Sequence, residues 1–392
     1  MAGLVIKPRS QILHGHDWVY ASEVLKAFGD PQDGDVVSLK DGKDRLLGSA
    51  IYNKRSQIVA RRFSRQRQEL DLDFFTRRIR QAVEYRERRG VRSDLCRIVW
   101  SESDGLPGII VDRYGPTLVL QTLTLAMDQR KSLIVEALVA VLGASGVAGI
   151  VESNESGSRK AEGLELQSGL LWGEKPQPTE FKIGNVSFEI DAGAGHKTGF
   201  YLDQVNNYEK VAAVAAGRRV LDCFSSQGGF ALACAKAGAA EVLAVEVSAD
   251  LVNKIEANAR RNDVKVKAVE ANVFDFLSSQ TRSGATYDLI VLDPPSFAKG
   301  KGKLDDALRG YKEIHLRALQ LLAPDGLIVT FSCSHHMSAN LLNEVIVDAS
   351  NDAKRSVRQI DSYSQGLDHP ILPHLPETHY LHGVLLEAMR GR

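Results

Sequence analysis

Asp222-Cys223-Phe224-Ser225-Ser226-Gln227-Gly228-Gly229-Phe230 decides the fold. The stretch leaves an apolar run at 220–223, turns through small residues and opens a helical stretch near 229–237. It is the first of a series. Strand-like runs at 220–223, 242–246, 264–269, 289–292 and 327–331 alternate with helical stretches near 229–237, 249–262, 304–322 and 339–350. That alternation predicts a parallel, doubly wound α/β sheet. Such sheets bind ligands beyond the carboxyl ends of their strands, where Asp222, Glu246, Asp293 and Cys333 would project.

The turn departs from G-x-G-x-x-G, the fingerprint that lets a pyrophosphate approach a helix N-terminus. A nucleoside cofactor without phosphates does not require it. S-adenosylmethionine presents a sulfonium, an amino-acid end and a ribose diol, and acids at the first two strand ends suit it. Glu246 is placed to accept both ribose hydroxyls, and Asn272, past the third strand, to pair with the adenine amine. The plainer alternative makes Asp222 and Glu246 solvated punctuation between strand and helix. Their joint placement with a Gly-Gly turn favours the cofactor.

Asp293-Pro294-Pro295 and Ser332-Cys333-Ser334 end successive apolar runs forty residues apart. A thiol is the side chain best suited to add to carbon 6 of a pyrimidine, which makes carbon 5 nucleophilic. A carboxyl group at Asp293 would ease the charge that moves onto the ring and bind the exocyclic amine. Cys333 read as an inert space-filler is the competing view. Cys223 and Cys234 lie among apolar neighbours and read as inert.

Upstream the character changes. Lysine plus arginine equals aspartate plus glutamate at 49 each, yet residues 1–92 hold 19 basic and 12 acidic side chains, a net of +7 (19 − 12). That asymmetry points to a polyanion at the N-terminal part. Residues 36–63 alternate short apolar runs with turns and predict a small all-β unit. Lys54, Arg55, Arg61, Arg62, Arg65 and Arg67 follow with no acid between them, dense enough to lie along an RNA backbone, and Arg77, Arg78, Arg80, Arg86, Arg88, Arg89 and Arg92 follow at helical spacing. A solvated basic edge is the bland alternative. Residues 71–90 and 129–142 predict helices around strands at 98–99, 108–111 and 118–123, and the glycines and prolines of 163–178 predict a linker. The expected division is 1–70, 71–180 and 181–392.

Four cysteines without metal-ligand spacing exclude a disulfide-stapled secreted fold and fit a reducing cytoplasm. No apolar stretch has the length of a signal peptide or membrane span. His369, His374, His379 and His382 are irregularly spaced in a proline-broken region, so no metal is expected there. His335 and His336 follow Cys333 and are candidates to lower its pKa.

At these residues the chain resembles the PUA-containing bacterial 23S rRNA cytosine-C5 methyltransferase family, of the large-subunit methyltransferase I type. The resemblance spans nearly the whole chain. It includes Gly15-His16-Asp17-Trp18-Val19-Tyr20, Ser103-Asp104-Gly105-Leu106-Pro107-Gly108, His196-Lys197-Thr198-Gly199-Phe200-Tyr201-Leu202-Asp203-Gln204, Arg309-Gly310-Tyr311 and Asp368-His369-Pro370. It implies a class I, Rossmann-like S-adenosylmethionine-dependent domain after a PUA-like and a mixed α/β domain, with Cys333 and Asp293 catalytic. The cofactor would touch Lys197, Gln204, Asp222, Phe224, Ser225, Gly228, Gly229, Glu246, Val247, Asn272, Val273 and Asp293. Arg55, Arg61, Arg62, Arg65, Pro294, Pro295 and Phe297 would face RNA, 23S rRNA by resemblance. A homodimer stays open. Two departures stand out: Val205 where the family has arginine, and Asn272 where it has aspartate. The competing functions are methylation of an exocyclic amine, methylation of a small molecule, and a non-catalytic RNA-binding or assembly factor. Ser296 between the two prolines and Phe297 argues against the first.

Overall fold

The computed structural model describes residues 2–193, 199–297, 304–334 and 336–390. They gather into two compact units: Met1–Thr179, Ile190–Leu202 and Leu367–Thr378 in the first, and Glu180–Glu189, Asp203–Gly366 and His379–Arg392 in the second.

The first unit contains two sheets. β1 (Gly3–Ile6), β2 (Trp18–Tyr20), β3 (Val24–Phe28), β4 (Val36–Lys40), β5 (Leu46–Tyr52) and β6 (Ile58–Ser64) lie in the order β2-β6-β5-β4-β1-β3. Alternation within them buries Leu4, Ile6, Val19, Val37 and Leu39 in a small core of their own. The first three strands escape the sequence reading because each is short and carries little periodicity.

A second sheet takes β7 (Leu95–Trp100), β8 (Ile109–Tyr114), β9 (Thr117–Thr122), β10 (Gly149–Asn154) and β11 (Gln167–Gly173), in the order β11-β10-β9-β8-β7. α1 (Leu72–Arg88), α2 (Leu125–Asp128), α3 (Lys131–Leu142) and α4 (Ser158–Ala161) accompany it. α1 begins where the Asp71 carboxylate accepts the Phe74 amide, a cap worth about 1 kcal/mol. Phe74, Phe75, Ile79 and Ala82 then form its buried face. The expected linker is corrected here, since β11 runs inside 163–178 and pairs antiparallel with β10. Gly173 permits this pairing rather than breaking it: its φ is 72°, and a Cβ there would lie 2.0 Å from the Ala148 carbonyl oxygen.

After the hairpin β12 (Thr179–Ile183) and β13 (Val186–Ile190) comes α5 (Val205–Ala212), and then the sheet that the opening motif predicts. Its strands are β14 (Arg219–Cys223), β15 (Glu241–Glu246), β16 (Lys267–Glu270), β17 (Tyr287–Leu292), β18 (Leu322–Ser332), β19 (Val357–Ser364) and β20 (His382–Ala388). The order is β16-β15-β14-β17-β18-β20-β19, with β20 antiparallel to both neighbours and the first five strands parallel. α6 (Gly229–Lys236), α7 (Ala249–Arg261), α8 (Val273–Ser283), α9 (Leu304–Leu321) and α10 (Ala339–Ala353) connect them. α8 is absent from the sequence reading because its second half, Leu277-Ser278-Ser279-Gln280-Thr281-Arg282-Ser283, is dominated by weak helix formers.

One face of this sheet packs α8, α9 and α10 through Leu221, Ile290, Ile314, Leu319, Leu342 and Val345. Strand order reverses at β14, which pairs β15 on one side and β17 on the other. That switch point opens the crevice in which such folds bind ligands.

Candidate active site

The turn after β14 is built from left-handed residues: φ is 62° at Phe224, 51° at Ser226 and 87° at Gly228, the N-cap of α6. Asp222 braces it from below. Its Oδ2 accepts from Ser225 Oγ at 2.6 Å and from the Ala231 amide at 3.0 Å, and the residue is fully buried. Burial lifts its pKa to about 7. The alternative of a solvated acid is corrected, since this carboxyl is fully buried and its Oδ2 braces the turn. Gly229 likewise answers to packing, since a Cβ there would stand 2.3 Å from the Tyr208 ring.

Glu246 ends β15 and ties it to the turn. Its Oε2 accepts from the Ser226 amide at 2.8 Å, and Oε1 from Val247 at 2.8 Å and Ser248 at 3.2 Å. Beside it Val247 is 66 % exposed, unusual for a valine and suited to the face of a flat apolar group. Asn272 caps α8, its Oδ1 accepting from the Phe274 amide at 2.9 Å and the Asp275 amide at 3.5 Å. With that oxygen engaged at the cap, the Nδ2 donor is the part of Asn272 that remains for the adenine. Val273 is 3 % exposed and belongs to the core. Lys197, with His196 and Thr198, lies outside the described residues, as does His335.

A carboxylate acceptor, an exposed valine and an amide donor at the ends of adjacent strands β15 and β16 fit the ribose and adenine of S-adenosylmethionine. They would hold the nucleoside half. The cofactor supplies a methyl group on a positively charged sulfur.

Asp293 follows β17 directly, and Cys333 follows β18, the parallel neighbour in which Thr330 stands opposite Leu292. Strand geometry puts the two Cα positions ~8 Å apart, with Cys333 two residues further out. Cys96, Cys223 and Cys234 are buried, and burial raises the pKa of each, that of Cys96 to about 12. Cys333 is half-buried, the accessible thiol among the described residues. Asp293 Oδ2 accepts from Gln204 Nε2 at 3.1 Å, so Gln204, expected at the cofactor, meets the carboxylate that ends β17.

Of the residues after Asp293, Pro294 is buried and Pro295 exposed. Phe297 joins an aromatic cluster, with ring centroids 6.3 Å from Phe224, 5.8 Å from Phe274 and 4.9 Å from Tyr311. Pro295 is thus the outward member of the three residues expected to meet the target base. Tyr311 has no role in the sequence reading beyond its motif. Its hydroxyl lies 3.0 Å from Ser332 Oγ, just before Cys333, and burial pushes its pKa up. No polarity pattern in α9 distinguishes this tyrosine from a core residue. Beneath it His315 is held neutral by burial, its pKa lowered to about 4, with Nδ1 donating to the Tyr311 carbonyl at 2.6 Å and Nε2 accepting from Thr330 Oγ1 at 2.9 Å.

The basic N-terminal residues divide. Arg62 is 7 % exposed and bonds Asp17 Oδ1 at 2.8 Å and the Gly15 and His16 carbonyls, fixing the Gly15-His16-Asp17-Trp18 motif. Arg61 pairs with Glu102 at 2.8 Å, which also accepts from Trp18 Nε1 at 2.8 Å. Burial opposes the Glu102 charge, but Arg61, Ser101 and Trp18 hold its pKa below the ordinary value. The expectation that Arg61 and Arg62 track phosphates is corrected accordingly. Arg86 is buried too, bidentate to Asp104 at 2.7 and 2.9 Å and bonded to the Asp368 carbonyl at 2.8 Å, so it unites two motifs far apart in sequence. Arg55, Arg65 and Arg67 are exposed. Among the described residues no group of side chains could hold a metal ion, and no helix is long and apolar enough to cross a membrane.

Fold and site define an S-adenosylmethionine-dependent methyltransferase carrying an N-terminal PUA-like domain; the corresponding family models match residues 168–363 and 7–65. Two solved structures share the fold, each with a TM-score of 0.85 over 99 % of this chain and 100 % of theirs. One, from Streptococcus mutans, is described as a SAM-dependent methyltransferase (21 % identity), and the other as a methyltransferase complexed with SAH (22 %). The ribosomal RNA large subunit methyltransferase I of Aeromonas salmonicida is 37 % identical across 98 % of both chains, and that of Shewanella denitrificans 41 % identical across 94 % of both. The chain belongs to the ribosomal RNA large subunit methyltransferase I family.

Proposed function

We propose that the protein methylates carbon 5 of a cytosine in large-subunit ribosomal RNA, through a bond between Cys333 and carbon 6, in the cytoplasm. The observation that carries this reading is the half-buried Cys333 beside Asp293 at the ends of parallel neighbours β18 and β17. The thiolate adds to carbon 6, and the electron pair of the carbon 5–carbon 6 double bond moves to carbon 5 and the N3 edge. Asp293 faces the exocyclic amine, from which a carboxylate accepts, and so holds the ring against Cys333. Carbon 5 takes the methyl group as the bond to the sulfonium breaks and leaves a neutral thioether, and transfer of the carbon 5 proton to water then re-forms the double bond and expels the Cys333 thiolate. Arg55 and Arg65, with Lys54 and Arg67, supply phosphate contacts from the PUA-like part. The domains divide as 1–70 for RNA, 71–180 as a central α/β part and 181–392 for methyl transfer.

The test is incubation with tritiated S-adenosylmethionine and unmodified 23S rRNA, wild type beside Cys333→Ala, followed by nucleoside analysis. Label in 5-methylcytosine from the wild type alone is expected. Label in another nucleoside, or equal label from the variant, overturns the thiol mechanism.

A further inference from the structure

The resemblance assigns Gln204 to the cofactor, yet its amide is locked between two polar groups inside the second unit. It is 2 % exposed; its Nε2 donates to Asp293 Oδ2 at 3.1 Å, and its Oε1 accepts from Asn207 Nδ2 at 2.7 Å. This orientation cannot invert. Asn207 Nδ2 also donates to the Ser364 backbone carbonyl at 3.1 Å, and a carbonyl only accepts, so nitrogen must stand there. The atom of Gln204 that meets this nitrogen is then its oxygen, and its own nitrogen is left for Asp293. A chain of fixed polarity runs from the end of β19 through two buried amides to the carboxylate at the end of β17.

We propose that Gln204, set by Asn207, is a positioning residue that holds Asp293 as a hydrogen-bond acceptor and so favours a target ring bearing an exocyclic amine over one bearing a carbonyl oxygen there. The inference rests on Asp293 being the target-base carboxylate. A donor fixed on one oxygen favours the ionised form over the acid. An ionised carboxylate accepts only, so the amine of cytosine satisfies it while the corresponding oxygen of uracil faces it lone pair to lone pair. The amides are already in place, so no reorganisation accompanies the reaction.

Full-length wild type, Gln204→Glu and Gln204→Leu decide the matter. Gln204→Glu keeps the shape and the bond from Asn207 but sets a second carboxyl against Asp293. Three quantities are measured: the S-adenosylmethionine dissociation constant, the pH dependence of single-turnover methylation of 23S rRNA, and the carbon-13 titration of the Asp293 carboxyl, assigned by its loss in Asp293→Asn. Both variants are expected to bind the cofactor within about twofold of wild type and to move the carboxyl midpoint upward by about one unit, a tenfold change in proton affinity. Gln204→Glu should methylate at least about tenfold more slowly at pH 8 and recover as the pH falls and the two carboxyls share a proton. Cofactor binding weakened with an unmoved carboxyl titration overturns the inference and returns Gln204 to the cofactor. A wild type that forms no 5-methylcytosine overturns the proposed function instead, while the titration, which needs no turnover, still decides the role of Gln204.

Discussion

The hydroxyl of Tyr311 lies 3.0 Å from Ser332 Oγ, and the same ring meets Phe297 edge to face at 4.9 Å. Tyr311 therefore touches the turn after β17, four residues beyond Asp293, and the strand end that delivers Cys333. Tyr311→Phe removes only the hydrogen bond, costing about 1 kcal/mol of stability. It should slow methyl transfer about tenfold while cofactor affinity stays the same, because the residues suited to hold the nucleoside lie at β15 and β16. Single-turnover rates beside calorimetric binding check this. A rate equal to wild type would show that Ser332 is held well enough by the chain around it.

Gly229 is constrained by packing against Tyr208. Gly229→Ala drives a methyl group into the tyrosine ring and is expected to cost about 1–3 kcal/mol, read as a lower denaturant midpoint. Tyr208→Val should relieve much of that penalty, so the two substitutions together cost less than their sum. Strictly additive losses would place the constraint in the backbone of the turn.

Asp222 makes stability depend on pH with a sign that can be worked out. Its folded pKa of about 7 lies above the ordinary 3.8, so folding favours the neutral acid. Below about pH 4 both folded and unfolded chains hold the proton and the contribution is complete. As the pH rises toward 7 the unfolded chain releases its proton first, and stability falls by about 1.4 kcal/mol per unit until the folded form also ionises. Asp222→Asn keeps acceptors for Ser225 and Ala231 and removes the proton, so its urea midpoint should lack this slope between pH 4 and 7. Parallel wild-type and variant curves would remove Asp222 as the cause.

What the sequence made legible follows from what periodicity and turn chemistry encode. The five parallel strands and four of their helices announce themselves, because a buried strand is a run and a surface helix a stripe. β19 and β20 do not, since β19 is largely exposed and polar and its partner follows a proline-broken loop. At the site, strand ends gave Asp222, Glu246, Asp293 and Cys333 their places but not their orientations. Asp222 bonds Ser225 and Ala231 while Glu246 bonds Ser226, Val247 and Ser248, a difference of hydrogen-bond partners that no spacing records. Gln204 and Tyr311 act on strand ends distant in sequence, so only tertiary contact shows their partners.

The same limit governs the arginines. A run of cations reads as one surface, yet Arg62 is buried against Asp17 while Arg65 and Arg67 stand in solvent. Arg62→Ala leaves the Asp17 charge in a poorly hydrated place and should cost about 3–5 kcal/mol of stability, seen as a lowered melting temperature. Arg65→Ala combined with Arg67→Ala should leave melting unchanged and weaken RNA binding. Every phosphate that an arginine neutralises adds about 1 to the steepness of log affinity against log salt, so the double variant should give a shallower line. Salt titration of its RNA binding therefore separates phosphate neutralisation from mere proximity. A weaker affinity with an unchanged slope would mean that these arginines shape the protein surface without neutralising phosphates, and the RNA track would then lie on other exposed cations such as Lys54 and Arg55.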